Sequence, residues 1–218
     1  LSNGEALIMH LGMTGRFTVS GKQPGDFHHK AGESDKHDHV VFGMQGGAPI
    51  TFNDARRFGF MDLWPLEDID RYPPFDGMGP EPISNQFSGA YLAEAFKDKK
   101  TPVKSALLDQ YVVAGLGNIY VCEALFRSGV SPTKLAGAIK RDKLEKLSIE
   151  IRKVIEEAIE AGGSTISDFE TTTGELGYFQ HRFQVYDREG DPCITCAKPV
   201  KRLVQSGRST FYCGTCQK

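Results

Sequence analysis

No stretch of this 218-residue chain runs to eighteen consecutive apolar residues, so a membrane-spanning helix is not expected. No signal-like apolar segment opens it either, which points to a reducing compartment. Positive charge is not in excess. Lys and Arg number 26 against 28 Asp and Glu, a formal net charge of −2, which by itself argues weakly against a nucleic-acid binder. Cysteine is scarce, with 5 residues. An initiating Met is absent, and no proline precedes Pro24. The chain opens on Leu1 and enters an apolar strand, Ala6 to His10, that has no earlier partner. Upstream sequence is therefore expected to be missing. What remains is enough for a packed core, at 39% hydrophobic residues, and the length suits one large domain or two small ones.

Four of the five cysteines stand together. Cys193-Ile194-Thr195-Cys196 is followed by a 16-residue spacer and Cys213-Gly214-Thr215-Cys216. That C-x2-C-x16-C-x2-C spacing reads as a zinc site, each pair giving two thiolates to one ion. Four sulfur ligands leave no position for water, so one Zn2+ with a structural role is expected. The alternative, two disulfides, is disfavoured by a reducing compartment. The spacer alternates, turns at Gly207 and alternates again, which reads as a hairpin with Arg208 at its tip. Such a hairpin is too small to fold alone, and the metal would staple it. Cys122 lies in a helical apolar pattern and reads as an ordinary buried thiol.

Charge is unevenly distributed. Residues 1–98 carry 8 basic and 14 acidic side chains, a net of −6, while 99–218 carry 18 and 14, a net of +4. Residues 178–218 alone carry 7 and 3. A basic end of this kind suits a phosphate-binding surface or a solubilising tail.

Short β runs occupy the first third: Ala6 to His10, Arg16 to Val19, His39 to Phe42, Pro49 to Phe52 and Phe58 to Trp64, with Gly46-Gly47 as a hairpin turn. They predict an antiparallel layer of a β-sandwich. Ser20 to Asp38 reads as a polar surface loop. Leu66 to Phe87, rich in Pro and acids, is the best domain boundary. Helices follow. Ser88 caps one running to about Lys97, and Thr101-Pro102 reads as a cap with Pro at the first helical position. A glycine turn precedes a helix from Asn118 to about Arg127, and Ser131-Pro132 reads as another helix start. Leu144, Leu147, Ile151, Val154, Ile155 and Ala158 mark a long amphipathic helix stopped by Gly162-Gly163. Ser164 to Tyr178 reads as a loop.

Three constellations suggest chemistry. Gly115-Leu116-Gly117-Asn118 opens a helix, where free N–H groups and the helix dipole attract phosphate. A dinucleotide fingerprint is excluded, because Tyr120 replaces the third glycine and no βαβ pattern surrounds it. Asp54-Ala55-Arg56-Arg57-Phe58-Gly59 pairs arginine with an aromatic. That is common on solvated surfaces, and on DNA it can wedge between bases. His10-Leu11-Gly12-Met13-Thr14-Gly15 bends the chain at a methionine that would by default be core.

In this order, with Lys36-His37-Asp38-His39 and Gly79-Pro80-Glu81-Pro82, these motifs and the four cysteines resemble the formamidopyrimidine-DNA glycosylase family over essentially the whole chain. The resemblance implies an α+β fold: a partial antiparallel β-sandwich over 1–80, a helix–two-turns–helix DNA-binding domain over 81–180, and a four-cysteine zinc-binding β-hairpin over 181–218. It implies a base-excision-repair glycosylase and lyase for oxidised purines (8-oxoguanine and formamidopyrimidines), with the lesion flipped out of the stack. Met13, Arg56 and Phe58 would fill the hole. His10, His37, Lys99, Lys104 and Asn118 would touch DNA, mostly phosphates. Arg208 would grip a phosphate and aid the final δ-elimination. Thr171 to Phe179 would close over the flipped base. The partner would be damaged double-stranded DNA, and the protein a cytoplasmic monomer associated with the bacterial nucleoid. The family's nucleophile is an N-terminal proline followed by glutamate, aided by a lysine in an early strand. Residues 1 and 2 here are Leu and Ser. The chain as it stands is expected to keep DNA affinity and to lose normal excision.

Three other readings remain open. An endonuclease VIII-like enzyme would act on oxidised pyrimidines. A non-catalytic zinc-containing DNA-binding protein would show a steep salt slope without damage preference. A zinc-stapled protein–protein adaptor would not bind DNA at all.

Overall fold

The computed structural model describes residues 1–19, 35–163 and 178–218. Most of the loop expected from Ser20 to Asp38, and residues 171–177 of the expected closing loop, lie outside them. The described residues form two compact units: Leu1–Asp76 with Ala161–His181, and Gly77–Glu160 with Arg182–Lys218.

The first unit is antiparallel β. Strand β1 (Glu5–His10) pairs with β5 (Phe60–Pro65), from Glu5 opposite Pro65 to His10 opposite Phe60. Strands β2 (Arg16–Val19), β3 (Asp38–Phe42) and β4 (Ile50–Asn53) form a second sheet in the order β2-β4-β3. The Gly46-Gly47 turn joins β3 and β4 as expected, with Gly46 in the left-handed region at φ 69° and the Gly47 N–H donating to the Met44 carbonyl. Phe52 is buried at the centre of the second sheet, with the Phe17 ring 5.4 Å away. Tyr72 is buried as well. It stacks edge-on against Trp64 and donates to Asp62 Oδ2 at 3.1 Å.

The second unit holds the helices and the hairpin. Helix α1 (Gly89–Ala95) is capped by Ser88, whose Oγ accepts from the Tyr91 N–H at 3.1 Å. Helix α2 (Val103–Leu107) is short, α3 spans Asn118–Ser128 and α4 spans Arg141–Glu160. The apolar stripe Leu144, Leu147, Ile151, Val154 and Ala158 is buried, and α4 packs against α1 and α3. At the crossing with α1, Gly89 carries no Cβ because one would stand 2.5 Å from Glu145 Cα. Arg152 on α4 donates to the carbonyls of Ile83, Ser84 and Phe87 and ties down the segment that leads into α1. Helix α3 ends at Gly129, left-handed at φ 69°, with Val130 N–H bonded back to the Leu125 carbonyl. The hairpin is β6 (Lys201–Gln205) paired with β7 (Arg208–Tyr212), turning through Ser206 and Gly207. No helix among the described residues is long and apolar enough to cross a membrane.

Of two helix starts read from the sequence, the one at Thr101-Pro102 is followed by α2 from Val103, and the one at Ser131-Pro132 is not realised. Pro102, at ψ 140°, is the residue before α2, and it makes no side-chain cap. Ser131-Pro132 opens a turn closed by Lys134 N–H to the Ser131 carbonyl, not a helix. The cause is tertiary: Pro102 and Leu135 form a β-bridge, and Val103 N–H donates to the Lys134 carbonyl at 2.8 Å. The bridge holds the chain after Ser131 extended, which overrides the local helix signal at Ser131-Pro132.

Candidate nucleic-acid interface and metal centre

In the first unit, the bend after β1 and the turn before β5 come together around one carboxylate. Asp54 is 1% exposed. Its Oδ1 accepts from Thr14 Oγ1 at 2.5 Å and from Arg56 N–H at 3.2 Å, and its Oδ2 accepts from Gly59 N–H at 2.8 Å. Burial pushes this acid's pKa up, but the Thr14 hydroxyl and the backbone N–H groups of Gly59, Arg56 and Arg57 pull harder, and the net shift is downward. The backbone has no spare room: a Cβ on Gly12 would stand 3.1 Å from the Phe58 carbonyl carbon, and one on Gly59 would stand 2.8 Å from the His10 oxygen. Arg57 sits in the left-handed region at φ 56°.

Three side chains crown this turn. Met13 is 68% exposed and Phe58 60% exposed, so the methionine is not core. Arg56 stands between them, with its Cζ 4.7 Å from the Phe58 ring centre and its Nη1 3.5 Å from Met13 Sδ. His10 is exposed and stacks on Phe60 at 5.5 Å. The His37 carbonyl accepts from Asp54 N–H at 3.0 Å, which brings that histidine to the same turn.

In the second unit, α2, α3 and β7 meet at one carbonyl. Ser209 O accepts from Lys104 Nζ at 3.2 Å and from Asn118 Nδ2 at 3.0 Å. Asn118 also reaches the Tyr186 hydroxyl at 3.4 Å, while its Oδ1 is buried without a protein partner. Lys104, which the resemblance expects to touch DNA, is 0% exposed. Burial draws its ammonium pKa down, and the positive charge of nearby Arg208 adds to that. Burial also pushes the Cys122 thiol up to about 11, so the thiol is neutral as expected. Arg208, the residue before Ser209 in β7, is exposed, and Ser206 Oγ lies 3.2 Å from Ser105 Oγ. Gly117 precedes α3 without a side-chain cap, so the N-terminus of the helix carries no capping side chain from that residue. Lys99 stands apart. Its backbone bonds to Phe96 and Gly137, and none of its described contacts reaches the Ser209 cluster.

The four cysteines converge. Their sulfurs all lie within 4.8 Å of one another, with Cys193 and Cys216 at 3.9 Å and Cys196 and Cys213 at 3.5 Å. Metal–sulfur bonds of about 2.3 Å in a tetrahedron place sulfurs about 3.8 Å apart, so the set fits one zinc ion. All five thiols are free, so no disulfide joins them. The Cys213 thiol is raised by burial but lowered more by the N–H groups of Cys216 and Thr215 and by the other sulfurs, to about 7. Cys193 and Cys213 share a buried cluster with Phe126, Val185, Val200 and Phe211, which seats the metal module on α3.

Sequence reasoning missed four residues here. Asp54 and Thr14 were quoted inside motifs without a role, and nothing local distinguishes a buried acid from an exposed one. Ser209 acts through its backbone, which leaves no trace in residue identity. Glu123, 0% exposed on α3, accepts from the N–H groups of Gln184, Val185 and Tyr186 and was given no role from the sequence.

Known proteins share this arrangement. Residues 1–61 match the formamidopyrimidine-DNA glycosylase N-terminal domain, 78–170 the formamidopyrimidine-DNA glycosylase H2TH domain, and 190–218 a zinc finger found in FPG and IleRS. Formamidopyrimidine-DNA glycosylase of Cereibacter sphaeroides is 56% identical over 220 residues, covering 100% of this chain and 78% of the relative. That of Rhodopseudomonas palustris is 54% identical over 228 residues, with the same coverage. The crystal structure of the MutM (FPG) protein from Thermus thermophilus superposes with a TM-score of 0.86 at 38% identity, covering 100% of this chain and 77% of that one. A Lactococcus lactis FPG mutant in complex with Fapy-dG-containing DNA gives 0.86 at 29% identity, covering 98% and 75%. With three family domains in order, a closed four-cysteine site and relatives above half identity along its whole length, the chain belongs to the formamidopyrimidine-DNA glycosylase family of DNA glycosylases and lyases.

Proposed function

We propose that this chain serves the excision of oxidised purines from double-stranded DNA, by gripping the backbone and filling the gap a flipped base leaves. The observation that carries this reading is the crown of Met13, Arg56 and Phe58. Two large apolar side chains are held in water on a turn fixed from below, with a guanidinium between them. Exposed apolar groups of this kind need a partner. An apolar wedge can enter a base stack, and an arginine can donate to the edge of the base left behind. His10 and His37, at the same turn, would face the flanking backbone. In the second unit, the N-terminus of α3, Asn118, Lys104 and Arg208 would hold phosphates. Lys104 acts mainly by fixing Ser209, and so Arg208 beside it. Lys99 would add a more distant contact. Arg208 is assigned the phosphate present during the final elimination, where its positive charge stabilises the leaving anion. Zinc, when bound, holds the hairpin in shape and takes no part in the chemistry. The same reading divides the chain at 1–80, 81–180 and 181–218, and makes the protein a monomer of the bacterial cytosol.

The test is equilibrium binding of the 218-residue chain to three duplexes: 8-oxoguanine opposite cytosine, thymine glycol opposite adenine, and undamaged DNA. The purine lesion is expected to bind about tenfold more tightly than either of the others, about 1.4 kcal/mol. Preference for thymine glycol would favour the oxidised-pyrimidine reading, and equal binding of all three would leave a zinc-containing protein that binds DNA without regard to damage. In the same assay Arg208→Ala is expected to lower the salt slope by about one phosphate contact. An unchanged slope would remove Arg208 from the interface.

A further inference from the structure

Each residue of the exposed crown is within one position of a bond to the Thr14–Asp54 pair. Met13 precedes Thr14, whose hydroxyl lies on Asp54 Oδ1. Arg56 donates its own N–H to Asp54 Oδ1 at 3.2 Å and to Thr14 Oγ1 at 3.3 Å. Phe58 precedes Gly59, whose N–H donates to Asp54 Oδ2 at 2.8 Å. Asp54 is itself fixed through its backbone, with its N–H on the His37 carbonyl at 3.0 Å and its carbonyl accepting from His39 Nε2 at 2.8 Å. The pair joins two segments 40 residues apart in sequence. We propose that Thr14 and Asp54 are positioning residues, a buried latch that holds Met13, Arg56 and Phe58 as one preformed wedge.

This rests on the reading of those three residues as a wedge. The physical case is one of preorganisation. Met and Arg side chains have many rotamers, and ordering them together with two loops would cost much of the binding energy of insertion. With both backbones fixed, only the side chains remain to be ordered. Arg57, held left-handed between two anchored amides, shows the turn kept in a conformation that most side chains avoid. A latch that only stabilised the sheet would have no reason to bond next to each of the three exposed residues.

Thr14→Val is nearly isosteric and removes the hydroxyl that serves Asp54 and Arg56, while Thr14→Ser keeps it. The readout is a duplex with a tetrahydrofuran abasic-site analogue opposite 2-aminopurine, whose emission changes when its stacking is disturbed. Emission is measured with saturating protein, so that weaker binding does not enter. The Thr14→Val chain is expected to bind undamaged DNA as the parent does, to lose about tenfold of the preference for the abasic-analogue duplex, and to lose the emission change. Thr14→Ser should restore both. Full preference and full emission change in Thr14→Val would overturn the latch while leaving the wedge intact. No emission change in the parent chain would sink the wedge, and the latch with it. Asp54→Asn, run in parallel, keeps the shape and loses one acceptor. If Thr14→Val fails to bind undamaged DNA because it does not fold, the same criteria apply to Asp54→Asn.

Discussion

Cys213→Ser, or exhaustive chelation of the parent chain, is expected to unfold the β6–β7 hairpin and to weaken DNA binding by at least about tenfold. The metal module has little core of its own, mainly Val185, Val200 and Phe211 around two of the cysteines. Structural zinc in isolated modules contributes on the order of 10 kcal/mol to folding at neutral pH, so three ligands cannot keep the hairpin closed. The loss would spread. Without β7 the Ser209 carbonyl leaves Lys104 and Asn118, and Lys104 becomes a buried ammonium without that acceptor. Such a charge is costly, so α2 should loosen as well. Zinc released during chelation, measured with a metal-sensitive dye, should amount to about one ion per chain and should parallel the loss of hairpin amide protection. A Cys213→Ser chain with parental melting temperature and DNA affinity would show that the hairpin stands without its metal and outside the interface.

Much of this was visible in the residues, and the parts that were not share a cause. The C-x2-C-x16-C-x2-C spacing encodes local chelating turns, so the metal centre could be read directly. The stripe of α4 and the cap at Ser88 are also local, set by helical period and by a side chain three residues from its partner. Thr101-Pro102 and Ser131-Pro132 carry equally good local signals, yet only the first is followed by a helix, because the bridge between Pro102 and Leu135 holds the chain after Ser131 extended. Lys104 and Asp54 show the same limit on the functional side. Lys104 was expected to touch DNA and Asp54 was left without a role, and each is buried against a partner 105 or 40 residues away. Met13 errs the other way: hydrophobicity assigns it to a core, while the bend at Gly12 puts it in water. Family resemblance named Met13, Arg56 and Phe58 as a set. Only the geometry shows what holds them together.

Replacing Glu123 should be the most destabilising single change away from the metal. Its carboxylate, 0% exposed on α3, accepts from Gln184 N–H at 2.9 Å, Val185 N–H at 3.0 Å and Tyr186 N–H at 2.8 Å. Those three residues lead from the helices into the metal module. Tyr186 then stacks edge-on against Phe211 at 5.0 Å and meets Asn118 through its hydroxyl. Glu123→Ala strips the acceptors from three amides in a dry site and leaves a cavity beside Val185. At about 1–3 kcal/mol for each stranded donor, partly relieved by water entry, the expected loss is about 4 kcal/mol. Glu123→Gln separates charge from shape. Its single oxygen can still serve Val185 and Tyr186, while its amide nitrogen would face the Gln184 N–H, donor against donor, for a loss of about 2 kcal/mol. Urea unfolding of the two variants should rank them in that order. DNA affinity should follow the same ranking, because Asn118 and Ser209 are placed by the segment that Glu123 holds. Equal losses in the two variants would mean that the negative charge, not the geometry of the three N–H bonds, secures the junction. An Ala variant within about 1 kcal/mol of the parent would mean that the metal module is seated by its apolar cluster alone.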